Sequence, residues 1–339
     1  MFAAGTFYVD AVLTSMARHY QPNPALYIAR TLAPILPVPD RSALYPIFSR
    51  EAFRMPQNSR LDRAGEANTI TGSLATRPYR CEGHGLADVQ TVVERQEFRW
   101  LTPEQQRNEA VFVIQRQLAN EHEAKVRDLY TTATNYASTH VLDINTNSVA
   151  WDATTGDVNP IADFTDAADL IILNTAQLPN VLWFNQQGWR ALIDSLPFRQ
   201  RFFPFFNGQI NAAMVASLLD FPVQVVIGRA PINDANPGGA DSMVYLWNQD
   251  TDGADLGPLC GLAYINNAPS IYNPSTAHTF SWELAGSMGG FISGSWMVPG
   301  VGGVLGAEKV ESDWFYDPHL VGVEAGEVIS AVLLTDLLT

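Results

Sequence analysis

Residues 104–132 contain neither glycine nor proline, and they follow a tetrapeptide suited to starting a helix. Thr102 offers an N-cap hydroxyl, Pro103 takes the first helical position, and Gln105 completes a capping box three residues on. Apolar Val111, Ile114, Leu118, Val126 and Leu129 recur at helical spacing. Glu121/Lys125 and Glu123/Arg127 stand four residues apart with the acid first, the favourable order for a helix. The pattern predicts one helix of about 30 residues, roughly 45 Å long at 1.5 Å per residue. The average helix in a compact domain is about 12 residues. This one reads as a backbone strut.

The chain around it has 339 residues, 47% of them hydrophobic and 16% charged. That is two to three domains' worth of sequence, or one large domain with extensions. A body of this size buries enough surface to fold without disulfides or metals. Collagen, coiled coil and bulk disorder are excluded by the high apolar fraction and the lack of a short repeat. No apolar run approaches the roughly 18 residues of a membrane-spanning helix. Residues 1–20 lack the basic start and apolar core of a secretory signal. Cys81 and Cys260 are too few for a disulfide framework, and free thiols from a reducing compartment are expected.

Charge is distributed unevenly. Residues 1–100 hold 11 arginines against 9 acids, whereas residues 231–339 hold 13 acids and one cation, Lys309. A field that negative disfavours sequence-independent binding of nucleic acid by the later half. Only Lys125 and Lys309 are lysines, against 18 arginines. A GC-rich coding genome accounts for that bias; a need for rigid, bidentate contacts between surfaces is the other reading.

Residues 1–40 read as an arm. Prolines 22, 24, 34, 37 and 39 forbid a continuous helix, yet Leu32, Ile35, Leu36 and Val38 want burial. Such a segment must lie along something else. Residues 41–95 carry 8 of the 18 arginines, with short apolar pieces separated by polar turns. They suit an extended hairpin, which is marginal alone and needs a partner surface in this chain or a neighbour. Beyond the strut, elements alternate. Residues 170–175 (LIILNT), 222–230, 243–248, 260–266, 278–284 and pieces of 308–334 read as strands; Gln186–Leu196 and Asn211–Leu219 read as helices. The class is α+β, without a linker or an internal repeat.

The search for chemistry is largely negative. Histidines 19, 84, 122, 140, 278 and 319 never fall at metal-ligand spacing, and His122-Glu123 lacks a second histidine four residues on. Asp250–Asp255 resembles a calcium loop but lacks the closing glutamate, so a solvated turn is expected. There is no nucleophile elbow, and Cys81 has His84 nearby but no orienting partner. The glycine-rich 299–306 lacks phosphate-loop spacing and reads as a turn. No catalytic, cofactor or metal residue is assigned. Trp247, Trp282, Trp296 and Trp314 read as core or interface anchors, and Phe198 to Phe206 as core more than contact surface.

The order of these pieces resembles the major capsid proteins of tailed double-stranded DNA bacteriophages, with the Hong-Kong-97-type fold. ALYIARTLAPILPVPDRSALYPIFSREAFR (25–54) resembles the family's arm leading into an Arg-tipped strand. TRPYRCEGHGLADVQ (76–90) is similar to the return strand of its extended loop, and 102–132 to its spine helix. NVLWFNQQGWRALIDSLPFRQRF (180–202), NAAMVASLLDFPVQVVIGRAPIN (211–233) and NPSTAHTFSWEL (273–284) match later segments in order.

The resemblance implies an arm (1–40), an extended β-hairpin loop (41–95), a peripheral domain with the spine helix (96–160), an axial domain (161–270) and shared return strands (271–339). It implies a structural, non-enzymatic virion subunit without cofactors, assembled in the host cytoplasm into pentamers and hexamers around double-stranded DNA that it does not read by sequence. Expected partners are sibling copies, a separate scaffolding protein, a portal and a decoration protein; no membrane is involved. Because the chain starts almost at the arm, scaffolding is expected from a separate protein. Some relatives cross-link through a loop lysine, but 41–95 has none, so no such bond is expected. The expected inter-subunit contacts are Arg50, Phe53, Arg54, Arg60, Arg63, Leu32 and Ile35, the first hundred residues gaining their stability from siblings alone. An encapsulin-like compartment shell and a soluble enzyme are the alternatives.

Overall fold

The computed structural model describes residues 13–14, 22–46, 75–97, 101–136, 140–143, 151, 159–195, 198–200, 210–235, 238–267, 275–284, 289–298, 301, 306–322 and 331–335. The expected strut is present as helix α3 (Pro103–Thr131), after a short turn α1 (Ala29–Leu32) and a short helix α2 (Val92–Glu97). Its capping box forms as read. Gln105 N–H donates to Thr102 Oγ1 at 3.3 Å, and Thr102 N–H donates to Gln105 Oε1 at 2.9 Å.

Two five-stranded sheets flank the strut. The first runs β1 (Ile35–Val38), β11 (Ala277–Trp282), β13 (Ala307–Leu320) and β12 (Ile292–Val298), with β4 (Glu82–Thr91) on the other edge of β13. The second runs β5 (Val141–Asp143), β14 (Ala331–Thr335), β10 (Cys260–Ala263), β6 (Val181–Asn185) and β7 (Gln224–Gly228). Two small hairpins complete the β structure: β2 (Ser42–Pro46) with β3 (Thr76–Arg80), and β8 (Pro231–Asn233) with β9 (Met243–Tyr245).

The strand alternation divides the core. In β6, Val181 and Trp183 face one cluster with Tyr27, Leu32, Val126, Tyr130 and Trp247. Leu182 and Phe184 face the opposite cluster with Phe164, Ile171, Trp189 and Leu192. A strand covered on both faces reads as a continuous apolar run, as VLWFN does. The strut serves both sheets: Val111, Ile114 and Leu118 pack on Val310 and Trp314 of β13, and Val126 and Tyr130 on the second sheet.

One segment differs in kind from its reading. Residues 170–175 are not a strand but the last turns of helix α4 (Pro160–Thr175). Phe164, Ala167, Ala168 and Ile171 are buried at helical spacing, while Leu173 is 81% exposed. Only one side of the apolar run meets the core, which suits a helix. The readings for α5 (Gln186–Asp194), α6 (Ala212–Leu218), β7, β10 and β11 differ only at the ends, whereas 243–248 is a strand only over β9 and turns into a 3-10 helix at Leu246–Asn248. Trp247 and Trp314 are core side chains, and Phe198 is buried; Phe202, Phe203, Phe205 and Phe206 lie outside the described residues, as does most of 299–306.

Candidate assembly surfaces

The β2–β3 hairpin projects from the first sheet and has a firmly seated root. Tyr45 and Tyr79 on its inner face pack on Phe280, with ring centroids 5.1 and 4.6 Å apart. On its outer face Leu44 is 64% exposed. Cys81 N–H donates to Arg41 O at 2.8 Å, and Arg41 Nε donates back to Cys81 O at 3.2 Å. Tyr79 donates to Asp40 O, Trp282 Nε1–H to Pro39 O, and Arg80 N–H to Asp317 Oδ2. The register from Ser42↔Arg80 to Pro46↔Thr76 leaves 47–75 as the connection. All of it but Ala75 lies outside the described residues, and with it Arg50, Phe53, Arg54, Arg60 and Arg63.

The arm is placed otherwise than expected. Leu32 is fully buried against Val126, Tyr130 and Trp183 of its own chain. Ile35 is half-buried beside the strut, and β1 pairs in parallel with β11 from Ile35↔Thr279 to Val38↔Trp282. Leu32 therefore has no surface left to offer a neighbour. The proline-broken segment does lie along a foreign surface, but that surface is the body of the same molecule. In residues 22–46 and 75–91, stability comes from within the chain.

A carboxylate expected only to pair along the strut holds the arm. Glu123, on the strut, is 2% exposed. Its Oε1 accepts from Ile28 N–H at 2.7 Å and from Trp247 Nε1–H at 2.7 Å; its Oε2 accepts from Ala29 N–H at 3.0 Å. Desolvation pushes its carboxyl up to about 7 against the pull of these donors. The expected Glu123/Arg127 pair does not form. Arg127 donates instead to Leu246 O at 3.1 Å and to Asp128 Oδ1, because three donors already occupy the glutamate. Glu121 and Lys125 do pair, at 3.6 Å.

Other charged groups are gathered on the first sheet. Glu308, 4% exposed, meets both Arg95 and Arg107. Beside them a groove of about 580 Å³ is lined by Asp88, Glu94, Arg95, Gln106 and Glu109. Burial pushes the Cys81 thiol up to about 11, with Asp317 adding to the shift, so it is a poor nucleophile at neutral pH. Burial also raises the Cys260 thiol well above the ordinary cysteine value. Asp250 Oδ1 accepts from Asp252 and Ala254 N–H, a self-contained turn. Among the described residues no three His, Cys, Asp or Glu side chains gather as a metal site.

No family model matches this sequence, and no curated protein matches it. Solved structures do. A phage-related protein from Bordetella bronchiseptica superimposes with a TM-score of 0.71 at 20% identity, covering 98% of both chains. The capsid structure of cyanophage P-SCSP1u gives 0.52 at 10% identity, covering 93% of this chain and 90% of that one. This is a tailed-phage capsid fold. A structure from Microbacterium phage Oxtober96 gives 0.50 at 12% identity, covering 93% of each chain. The likeness runs almost end to end rather than over one shared motif.

Proposed function

We propose that this chain is the repeating subunit of a closed phage capsid, assembling as pentamers and hexamers around packaged double-stranded DNA. The observation that carries the reading is the near-complete superposition on a phage-related protein and on a capsid structure. A role in the virion shell, structural rather than catalytic, accords with it. The acidic later half supports passive enclosure of DNA, since like charge keeps the wall from adhering to phosphate.

Obligate shells need interfaces of about 2,000 Å² or more per subunit. The seated hairpin root supports a reading in which 47–74 reaches a sibling and Arg50, Phe53, Arg54, Arg60 and Arg63 make the contact. The loop has no lysine, so the joint is non-covalent there. A scaffolding protein, a portal and a decoration protein are the remaining proposed partners, with assembly in the host cytoplasm. Replacing Arg50, Arg54, Arg60 and Arg63 together by alanine tests the contact. Far-ultraviolet circular dichroism should be unchanged while shell yield in electron microscopy falls; full assembly of the variant would refute the assignment.

A further inference from the structure

His84 of β4 sits between two strut residues of opposite charge. Its Nδ1 lies 2.8 Å from Glu121 Oε1, and its Nε2 lies 2.7 Å from Lys125 Nζ. An ammonium has no lone pair, so Nε2 must be the acceptor and Nδ1 must carry the proton that Glu121 receives. The geometry thus fixes both the tautomer and the charge state: the ring is neutral. Lys125 also lies 4.8 Å over the Tyr316 ring, and that ring meets His84 in a tilted contact, centroids 4.6 Å apart. A proton added at Nε2 would set two donors against each other at hydrogen-bond distance. Beside the cluster a groove of about 390 Å³ is lined by Glu82, Lys125, Asp128, Tyr316 and Asp317.

We propose that His84 is a proton-controlled gate on Lys125: the neutral ring, together with Glu121, holds the ammonium against β4, and the protonated ring drives it toward the other carboxylates of the groove it lines. The proton comes from solvent and forms an Nε2–H bond with the ring lone pair, no other covalent bond changes, and the new imidazolium keeps its Nδ1–H bond to Glu121. Lys125 then turns to the carboxylates of Glu82, Asp128 and Asp317. Asp128 already meets Arg127, and Asp317 meets His319 Nε2 at 2.8 Å, which leaves Glu82 as the least engaged receiver. Burial and then Lys125 hold the His84 ring below the ordinary histidine value, against the raising pull of Glu121 and Glu82. The gate accordingly operates on the acid side of neutrality. Its effect is to shift the ammonium of the groove between the return strand and the strut away from His84 and toward the groove's carboxylates.

Lysine scarcity makes the test clean, because Lys125 and Lys309 are the only two. The full chain is labelled with 13C at lysine Cε and 15N in histidine rings, and followed by NMR from pH 8 to 5. At pH 8 His84 should show a protonated Nδ1 and a bare Nε2. On acidification, Lys125 Cε and His84 nitrogens should move together with one midpoint below 6.5, Lys309 staying still. Lys125→Met should raise the His84 midpoint, Glu121→Gln should lower it, and His84→Gln should abolish the movement of Lys125. An Nε2–H tautomer at pH 8, a Lys125 signal that ignores the His84 midpoint, or an unchanged Lys125 response in His84→Gln would each overturn the gate.

Discussion

At the scale of single residues, Glu123 joins three pieces of chain that are distant in sequence. Glu123→Gln keeps one acceptor oxygen for Ile28 and Trp247 but presents an amide N–H to Ala29 N–H. Losing that bond should cost on the order of 1–3 kcal/mol, read as a lower urea midpoint of the unassembled subunit. The pH response has a definite sign. The folded carboxyl titrates at about 7 and the unfolded one at 4.5, so its contribution is greatest below 4.5 and declines as pH rises to 7. His122 and His278, held down to about 3 and about 4 chiefly by burial, act oppositely and weaken the fold as pH falls below 6.5. The difference between wild type and Glu123→Gln, measured from pH 4.5 to 8, isolates the glutamate. It should narrow as pH rises; a constant gap would contradict its raised titration. Gly228 is a neighbouring constraint, since an added Cβ would lie 2.4 Å from Cγ of Trp247. Gly228→Ala should displace that indole from Glu123 and destabilise by about 1–3 kcal/mol, visible as altered tryptophan fluorescence in the folded state.

At the scale of elements, the strut and the second sheet were unequally legible. Thr102-Pro103-Glu104-Gln105 and the absence of breakers mark α3 because capping and helical continuity are local properties. Thr102→Ala should lower stability by about 1 kcal/mol, with Thr102→Ser retaining most of it; equal loss in both would argue against the capping hydroxyl. The misreading of 170–175 has a physical origin. A short β-branched run has no periodicity of its own, and only the buried Ala167-Ala168 upstream reveals the helix. The arm was legible as a segment needing a host surface, but not as one hosted by its own chain. That outcome depends on Glu123 capturing Ile28 and Ala29 from 95 and 94 residues away. A separation of 41 residues hides the His84–Lys125 contact in the same way. Leu32→Ala should cost about 2–5 kcal/mol in the isolated subunit, which a purely inter-subunit residue would not show.

At the scale of the molecule, the strut ties the two sheets into one frame on which arm and hairpin root are already mounted. On the proposed reading, assembly begins from a subunit in which the described parts of the arm and hairpin root are already seated, and 47–74 is the proposed contact. For residues 22–46 and 75–97 this departs from the expectation that the leading hundred residues gain their stability from siblings alone; the rest of that hundred lies largely outside the described residues. It leaves the capsid fold and the shell reading intact, because a self-sufficient frame and a shared rim are compatible. The decisive measurement is the mass and shape of the full chain, expressed alone and with a scaffolding protein, by mass photometry and electron microscopy. The account predicts closed, icosahedral particles built of pentamers and hexamers. Monomers and small oligomers under every condition would contradict it.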